Sequence, residues 1–253
     1  MSPTARNLGN GDALVLERVS RSFGALRAIE DVSFSVAAGE RRAIIGANGA
    51  GKTTLFNVIT GDFPATSGRV LFFGDDVTRQ PPFERIRAGL RRTYQSSLLF
   101  RELTVRDNLF LAVRGVTRNR YSFFRQNQAR PLDELLERIR LKPLEDALVS
   151  VLSHGQQRQL EIGMALAGAP RLILFDEPAA GLSPGERAEL VALLAALPSH
   201  IGYVIIEHDL DIALRVVSRV TVMHNGRILK EGTPAEIEND PEVQAIYMGE
   251  RAH

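Results

Sequence analysis

The sequence predicts an α/β protein: a parallel-sheet core, an N-terminal antiparallel β subdomain ahead of it, and an inserted helical subdomain. Three observations carry this. The apolar run Arg42-Ala43-Ile44-Ile45 leads into a glycine-rich turn and then a helix over Thr54–Thr60, with Gly61 placed as its C-terminal cap. Leu172-Ile173-Leu174-Phe175, the amphipathic stretch Gly185–Leu197 and Tyr203-Val204-Ile205-Ile206 read as strand, helix, strand, a parallel crossover unit. From Pro82 to about Gly168 the periodicity turns mostly helical.

In chain order, residues 1–12 read as a loose tail. Leu14–Val19 and Val32–Val36 are strand-like, the second with one apolar face. Val70–Phe73 is a further strand ending at the turn signal Gly74-Asp75. Within the helical insertion, Leu132, Leu135, Leu136 and Ile139 line one face of a helix over Pro131–Leu141, and Arg91-Arg92 reads as a solvated face. Val220–His224 and Arg227–Lys230 flank Asn225-Gly226, a hairpin signal. Thr233-Pro234-Ala235-Glu236 opens a last helix with a capping box and proline at its first position. The expected organisation is one unit. Residues 13–90 and 168–233 form the core with the β subdomain, 91–167 the helical insertion, and 234–253 a helical tail.

The composition bounds the function. The chain has 253 residues, 44% hydrophobic and 24% charged, enough to bury a core. A formal net charge of +1 proposes neither nucleic acid nor an anionic membrane surface as partner. There is no cysteine, so disulfides and thiolate metal sites are excluded. The polar start, Met1–Asp12, carries no secretory h-region. The longest apolar stretch, Leu190–Leu197, falls far short of the roughly 20 residues that span a bilayer. The expectation is a chain soluble by itself, held at a membrane, if at all, by another subunit.

Gly46-Ala47-Asn48-Gly49-Ala50-Gly51-Lys52-Thr53 matches G-x-x-x-x-G-K-[ST], a phosphate-binding loop, in the strand–loop–helix context that the motif needs. Glycines let backbone N–H groups approach an anion, and the helix N-terminus adds partial positive charge. Lys52 would reach the β- and γ-phosphates, and the Thr53 hydroxyl would ligate Mg²⁺. A glycine turn that binds nothing would not need Lys-Thr in place.

The strand Leu172–Phe175 ends in Asp176-Glu177. Asp176 suits a metal ligand, and Glu177 could accept a proton from an attacking water. Ser153 and Gln156 fit a capping box at the start of a helix carrying Leu160, Met164 and Ala167 on one stripe. Gly155 in its first turn would leave N–H groups open to a second anion. Two phosphate-type helix ends on one chain suggest a nucleotide shared between two protomers.

Taken together, these motifs resemble the nucleotide-binding subunit of an ATP-binding cassette (ABC) transporter over essentially the whole chain. Gly46–Thr53 corresponds to the Walker A loop, with Thr54 following it. Leu152-Ser153-His154-Gly155-Gln156 resembles the LSGGQ signature, with histidine where the family usually has glycine. Leu172–Glu177 corresponds to Walker B, Ala180-Gly181-Leu182-Ser183 to the D-loop, and Glu207-His208-Asp209 to the switch histidine. Tyr94-Gln95 resembles the Q-loop, and Phe23 stands where an aromatic stacks on adenine.

The resemblance implies an ATPase with ATP and Mg²⁺ as cofactors. Thr53, Gln95 and Asp176 would organise Mg²⁺. Glu177 would position water, and His208 would sense the γ-phosphate. Gly46, Asn48, Gly49, Ala50, Gly51 and Lys52 would cradle the phosphates. Ser153, His154, Gly155 and Gln156 would meet the ATP of the partner protomer, next to Gly181, Leu182 and Ser183.

The phrases Glu177–Pro184 and Ile206–Leu210, and the tail through Tyr247-Met248-Gly249-Glu250, resemble the ATPases of branched-chain amino acid importers. That implies a second ATPase subunit, transmembrane permease subunits, an extracytoplasmic binding protein acting indirectly, and a peripheral place on the cytoplasmic face of the cell membrane. The alternatives are importers of urea, amides or other hydrophobic or aromatic acids, a lipopolysaccharide-type exporter, a soluble ABC ATPase, and a lone phosphate-loop kinase. Ser96–Phe100 and the helix after it are expected to form a groove for a short permease helix.

Overall fold

The computed structural model describes residues 11–94, 98–116 and 129–250. Two sheets organise it. The first is antiparallel and four-stranded, in the order β2-β1-β4-β5. Its strands are β1 (Asp12–Phe23), β2 (Leu26–Ala37), β4 (Ser67–Phe72) and β5 (Asp75–Asp76). β1 runs on through the polar Ser20-Arg21-Ser22, past the end that alternation suggests. Backbone pairing with β2, shifted between Leu16 and Ser22, carries it without apolar side chains.

The second sheet has six strands, in the order β10-β9-β3-β8-β7-β6. Its strands are β3 (Arg41–Ile45), β6 (Leu90–Thr93), β7 (Leu172–Asp176), β8 (Gly202–Ile206), β9 (Arg219–His224) and β10 (Arg227–Gly232). All are parallel except the edge strand β10, which returns through the hairpin. Asn225 and Gly226 at the hairpin tip both have positive φ, 46° and 76°, as the sequence signal requires.

The alternation of side chains sorts the core into two layers. Ile44, Leu172, Leu174, Val204 and Ile206 face α1 (Lys52–Thr60) and the antiparallel sheet. Ala43, Ile45, Ile173, Phe175, Tyr203 and Ile205 face the other way. There they meet α5 (His154–Leu166), α6 (Pro184–Ala195) and α7 (Leu210–Val216). The helical insertion adds α3 (Val105–Val116) and α4 (Ala129–Arg138), with Leu132, Leu135, Leu136 and Ile139 buried together as their spacing predicts. The chain closes with α8 (Pro234–Glu238), behind the expected capping box, and α9 (Pro241–Glu250). Among the described residues, no helix is long and apolar enough to cross a membrane.

One segment departs from the sequence reading. Pro82–Gly168 is not helical throughout: after α2 (Pro82–Ala88), Leu90–Thr93 forms β6, in register with Leu172–Phe175. The core sheet therefore extends past residue 91, where the helical insertion was expected to begin. Nor are Arg91 and Arg92 a solvated face. Arg91 is buried, and the Arg92 side chain is only 4% exposed. A four-residue strand with two arginines has no readable period; pairing with β7 makes it a strand.

α1 is anchored at its C-terminus from outside. Gly61, at φ 84°, caps it. The buried Arg85 guanidinium donates to the carbonyls of Val58 (2.8 Å) and Ile59 (2.7 Å) in its last turn. It also donates to Gln80 and Thr78 (both 3.0 Å). A cation on the last carbonyls complements the helix dipole. Burial pulls the Arg85 pKa down to about 10, which still leaves it charged at neutral pH.

Candidate functional site

The C-terminal ends of β3, β8, β7 and β6 lie side by side, where ligands of open parallel sheets bind. The Gly46–Thr53 loop leaves β3 there and enters α1. Gly46 and Gly51 are required by close approach as well as by φ (151° and 98°). A side chain at 46 would meet the Met223 carbonyl at 2.1 Å, and one at 51 the Ala28 carbonyl at 2.5 Å. The β9–β10 hairpin closes against the loop, with Gly226 N–H donating to Ala50 O (3.1 Å). No local pattern around Gly46–Thr53 signals this support.

Lys52 is buried, and its ammonium donates to the carbonyls of Gly46 (2.6 Å) and Ala47 (2.9 Å). The first turn of α1 carries no acidic residue and no side-chain cap, so its N–H groups are left for an anion.

A cleft of about 570 Å³ opens over this loop. Asn48, Gly49, Ala50, Gly51, Lys52, Thr53 and Thr54 line it, together with Glu177 and residues from the start of β2 and the tip of the β9–β10 hairpin. Phe23 is not part of that lining. Its ring sits edge-on to Phe63 (5.4 Å), under the Arg21 guanidinium (4.5 Å). Leu26, Arg27 and Ala28, at the start of β2, are the residues from this end of the β1–β2 hairpin that reach the cleft.

Glu177 lies directly after β7, in a left-handed backbone conformation (φ 47°) that is strained for a non-glycine residue. Its Oε2 stands 3.9 Å from Nδ1 of His208, a ring that is 57% exposed. Asp176 ends β7 fully enclosed. Its Oδ2 accepts from Arg92 at 2.6 Å, while Oδ1 is buried with no partner among the described residues. Arg92 also reaches Asn57 (2.6 Å) and Asp62 (3.2 Å), tying β6 to α1 and β7. The sequence reading missed this cation because nothing local shows that its strand borders Asp176. Gln95 lies outside the described residues.

Ser153 caps α5 and forms the expected box with Gln156. The first turn is not open, however. Gly155 N–H donates to Glu186 Oε1 at 2.8 Å, and the same oxygen lies 3.4 Å from the Ser153 hydroxyl. The other Glu186 oxygen closes the capping box of α6 with Ser183. The N–H and hydroxyl of Ser183, and then Gly155 N–H, hold the Glu186 pKa down to about 2. A carboxylate thus occupies the N-terminus that the sequence left free, and it comes from a helix whose proximity only the fold reveals. His154 stands against Gly181, with its Cε1 2.9 Å from where a side chain at 181 would begin. Leu182 is buried and Ser183 caps α6. None of Ser153, His154, Gly155 or Gln156 lines the Lys52 cleft.

Among the described residues, no group of three His, Cys, Asp or Glu side chains could hold a metal by itself. The Thr53 hydroxyl and the unpartnered Asp176 oxygen offer hard oxygen donors, fit for a divalent cation that arrives with a phosphate ligand.

Residues 29–180 match the ABC transporter family model, and residues 228–253 match that of the branched-chain amino acid ATP-binding cassette transporter. The high-affinity branched-chain amino acid transport ATP-binding protein LivG of Escherichia coli K12 is 38% identical, over 90% of this chain and 94% of its own. BraF of Pseudomonas aeruginosa, named for the same transport, is 34% identical over 94% and 98%. Among solved structures, an ATP-binding cassette of an ABC transporter in its ADP conformation superposes with a TM-score of 0.84 at 35% identity, covering 94% of this chain and 99% of that one. A nucleotide-free cassette superposes at 0.82 with 36% identity, over 93% and 98%.

Proposed function

The chain belongs to the ABC transporter family of ATP-binding subunits, and from that premise we propose that it drives an importer of branched-chain amino acids by ATP-dependent pairing with a second ATPase subunit. One observation carries the pairing: the chain has a phosphate-type helix end at Lys52 and another at Ser153, and the second does not line the cleft of the first. Each ATP would then lie between the Lys52 cleft of one protomer and the signature helix of its partner.

Phosphoryl transfer needs positioning and charge stabilisation more than covalent help. The loop amides and Lys52 would hold the phosphates, with the ammonium exchanging its loop carbonyls for phosphate oxygens. Glu177 would orient the water and take its proton, and His208 would contact the γ-phosphate. Thr53, Asp176 and Gln95 would hold Mg²⁺, which supplies charge neutralisation on the phosphate oxygens when bound. Arg92 would hold Asp176 in place through its 2.6 Å ion pair.

Glu186 gives this scheme a sharp test. Its carboxylate lies where the partner's γ-phosphate would arrive, so the two anions compete for the same N–H and hydroxyl. Glu186→Gln keeps a carbonyl for the Ser183 box and removes the charge. Half-maximal ATP-driven dimerisation is expected at an ATP concentration about tenfold lower, because the repulsion between the two anions is relieved. Light scattering across an ATP titration reads this; an unchanged or raised midpoint argues against a shared site at Ser153.

For the permease, a groove of about 210 Å³ is lined by Ile86, Tyr94, Leu98, Leu99, Ala112 and Met164 among others. We assign it to a short cytoplasmic helix of the membrane subunit. Phe100, though exposed, does not line it. Leu99→Asp is expected to abolish co-purification with the permeases while ATP turnover of the isolated subunit stays within about twofold. Retained assembly refutes the docking assignment.

The relatives' names and the match over residues 228–253 support this transported class. Reconstitution with the genomically adjacent permeases and binding protein tests it. ATP-dependent leucine uptake into proteoliposomes is expected, and uptake of urea or a short amide instead would replace it.

A further inference from the structure

Glu207 has no part in the scheme above, yet it is fully buried beside the site. Its Oε1 accepts the Ala179 N–H at 2.8 Å. Its Oε2 is buried with no partner among the described residues. Burial, reinforced by the charges of Glu177 and Asp209, pushes its pKa up to about 7. Such a group costs stability. An apolar residue continuing the run Tyr203–Ile206 would fill the space without that cost, so packing does not explain it.

Its contacts do. Ala179 belongs to the turn that leaves β7 as Asp176-Glu177-Pro178-Ala179, and Glu177 in that turn holds a strained left-handed backbone. Such a conformation persists only where its surroundings over-determine it. Two hydrogen bonds from the end of β8 do this: Glu177 N–H to Ile206 O (3.0 Å), and Ala179 N–H to Glu207. The next residue after Glu207 is His208, which faces Glu177 across 3.9 Å. The turn runs on into Gly181-Leu182-Ser183.

We propose that Glu207 is a positioning residue for ATP hydrolysis: its buried carboxyl clamps the turn that carries Glu177 onto the strand end that carries His208, and so sets the spacing of those two side chains. The inference rests on the reading of Glu177 as the residue that orients the attacking water. Displacing a group at the reacting centre by about 1 Å is enough to slow a reaction by about 10²-fold, and phosphate binding by the Lys52 loop does not depend on this turn.

The test is steady-state ATP turnover by full-length Glu207→Leu, Glu207→Asp, Glu207→Gln and Glu177→Gln, with thermal melting of each. Glu207→Leu is expected to lower kcat about tenfold or more, with KM for ATP within about twofold and no loss of melting temperature. Glu207→Asp keeps the charge but shortens the reach, and is expected to be equally slow. Glu207→Gln keeps an acceptor for Ala179 N–H and is expected to return kcat to within about threefold of the parent. Parent-like kcat in Glu207→Asp or Glu207→Leu overturns the proposal, as does a Glu207→Gln variant no faster than Glu207→Asp. A Glu177→Gln variant that turns over ATP at the parent rate overturns the reading of Glu177 instead. An inactive Glu177→Gln beside a fully active Glu207→Asp removes Glu207 alone.

Discussion

Glu177→Gln is expected to bind ATP, lose about 10²–10⁴-fold of its turnover, and accumulate as a closed dimer in ATP-Mg²⁺. The substitution keeps the length of the side chain and the backbone that presents it. The amide cannot accept a proton, however, so on the proposed role of Glu177 the attacking water would not be deprotonated. Lys52, Thr53 and the loop amides are untouched, so affinity for ATP should stay within about threefold of the parent. Each bound ATP would continue to join the Lys52 cleft to the partner's Ser153 end, because nothing consumes it. Size-exclusion chromatography with light scattering reads the dimer, and a coupled phosphate assay reads turnover. A variant that is monomeric in saturating ATP-Mg²⁺ would remove the shared-site account. One that hydrolyses ATP at the parent rate would falsify the role of Glu177.

Arg85→Met is expected to destabilise the fold by about 3–5 kcal/mol, because it takes a charged donor away from several backbone carbonyls at once. Four backbone carbonyls, those of Val58, Ile59, Thr78 and Gln80, lose the guanidinium donor at once, although Val58 O keeps the Gly61 N–H at 3.2 Å. They lie in the last turn of α1 and in the connection to α2, where the methionine offers volume but no hydrogen. For a domain of this length the melting temperature should fall by about 10 °C. Arg85→Lys should recover part of this, because an ammonium can reach some but not all of the fork's acceptors. The phosphate loop lies at the opposite end of α1, so KM for ATP below the transition should stay within about twofold. Equal melting temperatures for Arg85→Met and the parent would show that the cap is dispensable.

Much of this was legible in the chain itself. The strand–loop–helix around Gly46–Thr53, the strand ending in Asp176-Glu177 and the capped helix at Ser153 are local patterns, set by glycine spacing, apolar runs and caps. They formed where the residues said they would. The Asn225-Gly226 hairpin and the Thr233–Glu236 box were equally local. β6 was not. Leu90-Arg91-Arg92-Thr93 reads as charge on a helical face, and it is a strand because β7 offers it a partner 82 residues later in register (Leu90 with Leu172). Phe23 shows a related limit. Its sequence position suits a ring over a nucleotide, but contacts with Phe63 and Arg21 decide where the ring goes.

The sequence by itself determined the groups at hand: a glycine-rich loop of the phosphate-binding type, a hydroxyl and a carboxylate suited to a divalent cation, a glutamate and a histidine at strand ends, and a second capped helix resembling the signature. Tertiary structure decided how these groups are charged and held. Arg92 meets Asp176 across two strands, Glu186 enters the first turn of α5 from α6, and Glu207 binds the turn that carries Glu177. Local pattern fixes which groups a segment carries, because period, cap and turn act over a few residues. Which charge meets which depends on packing between segments distant in sequence, and that is settled only when both faces of the parallel sheet are covered.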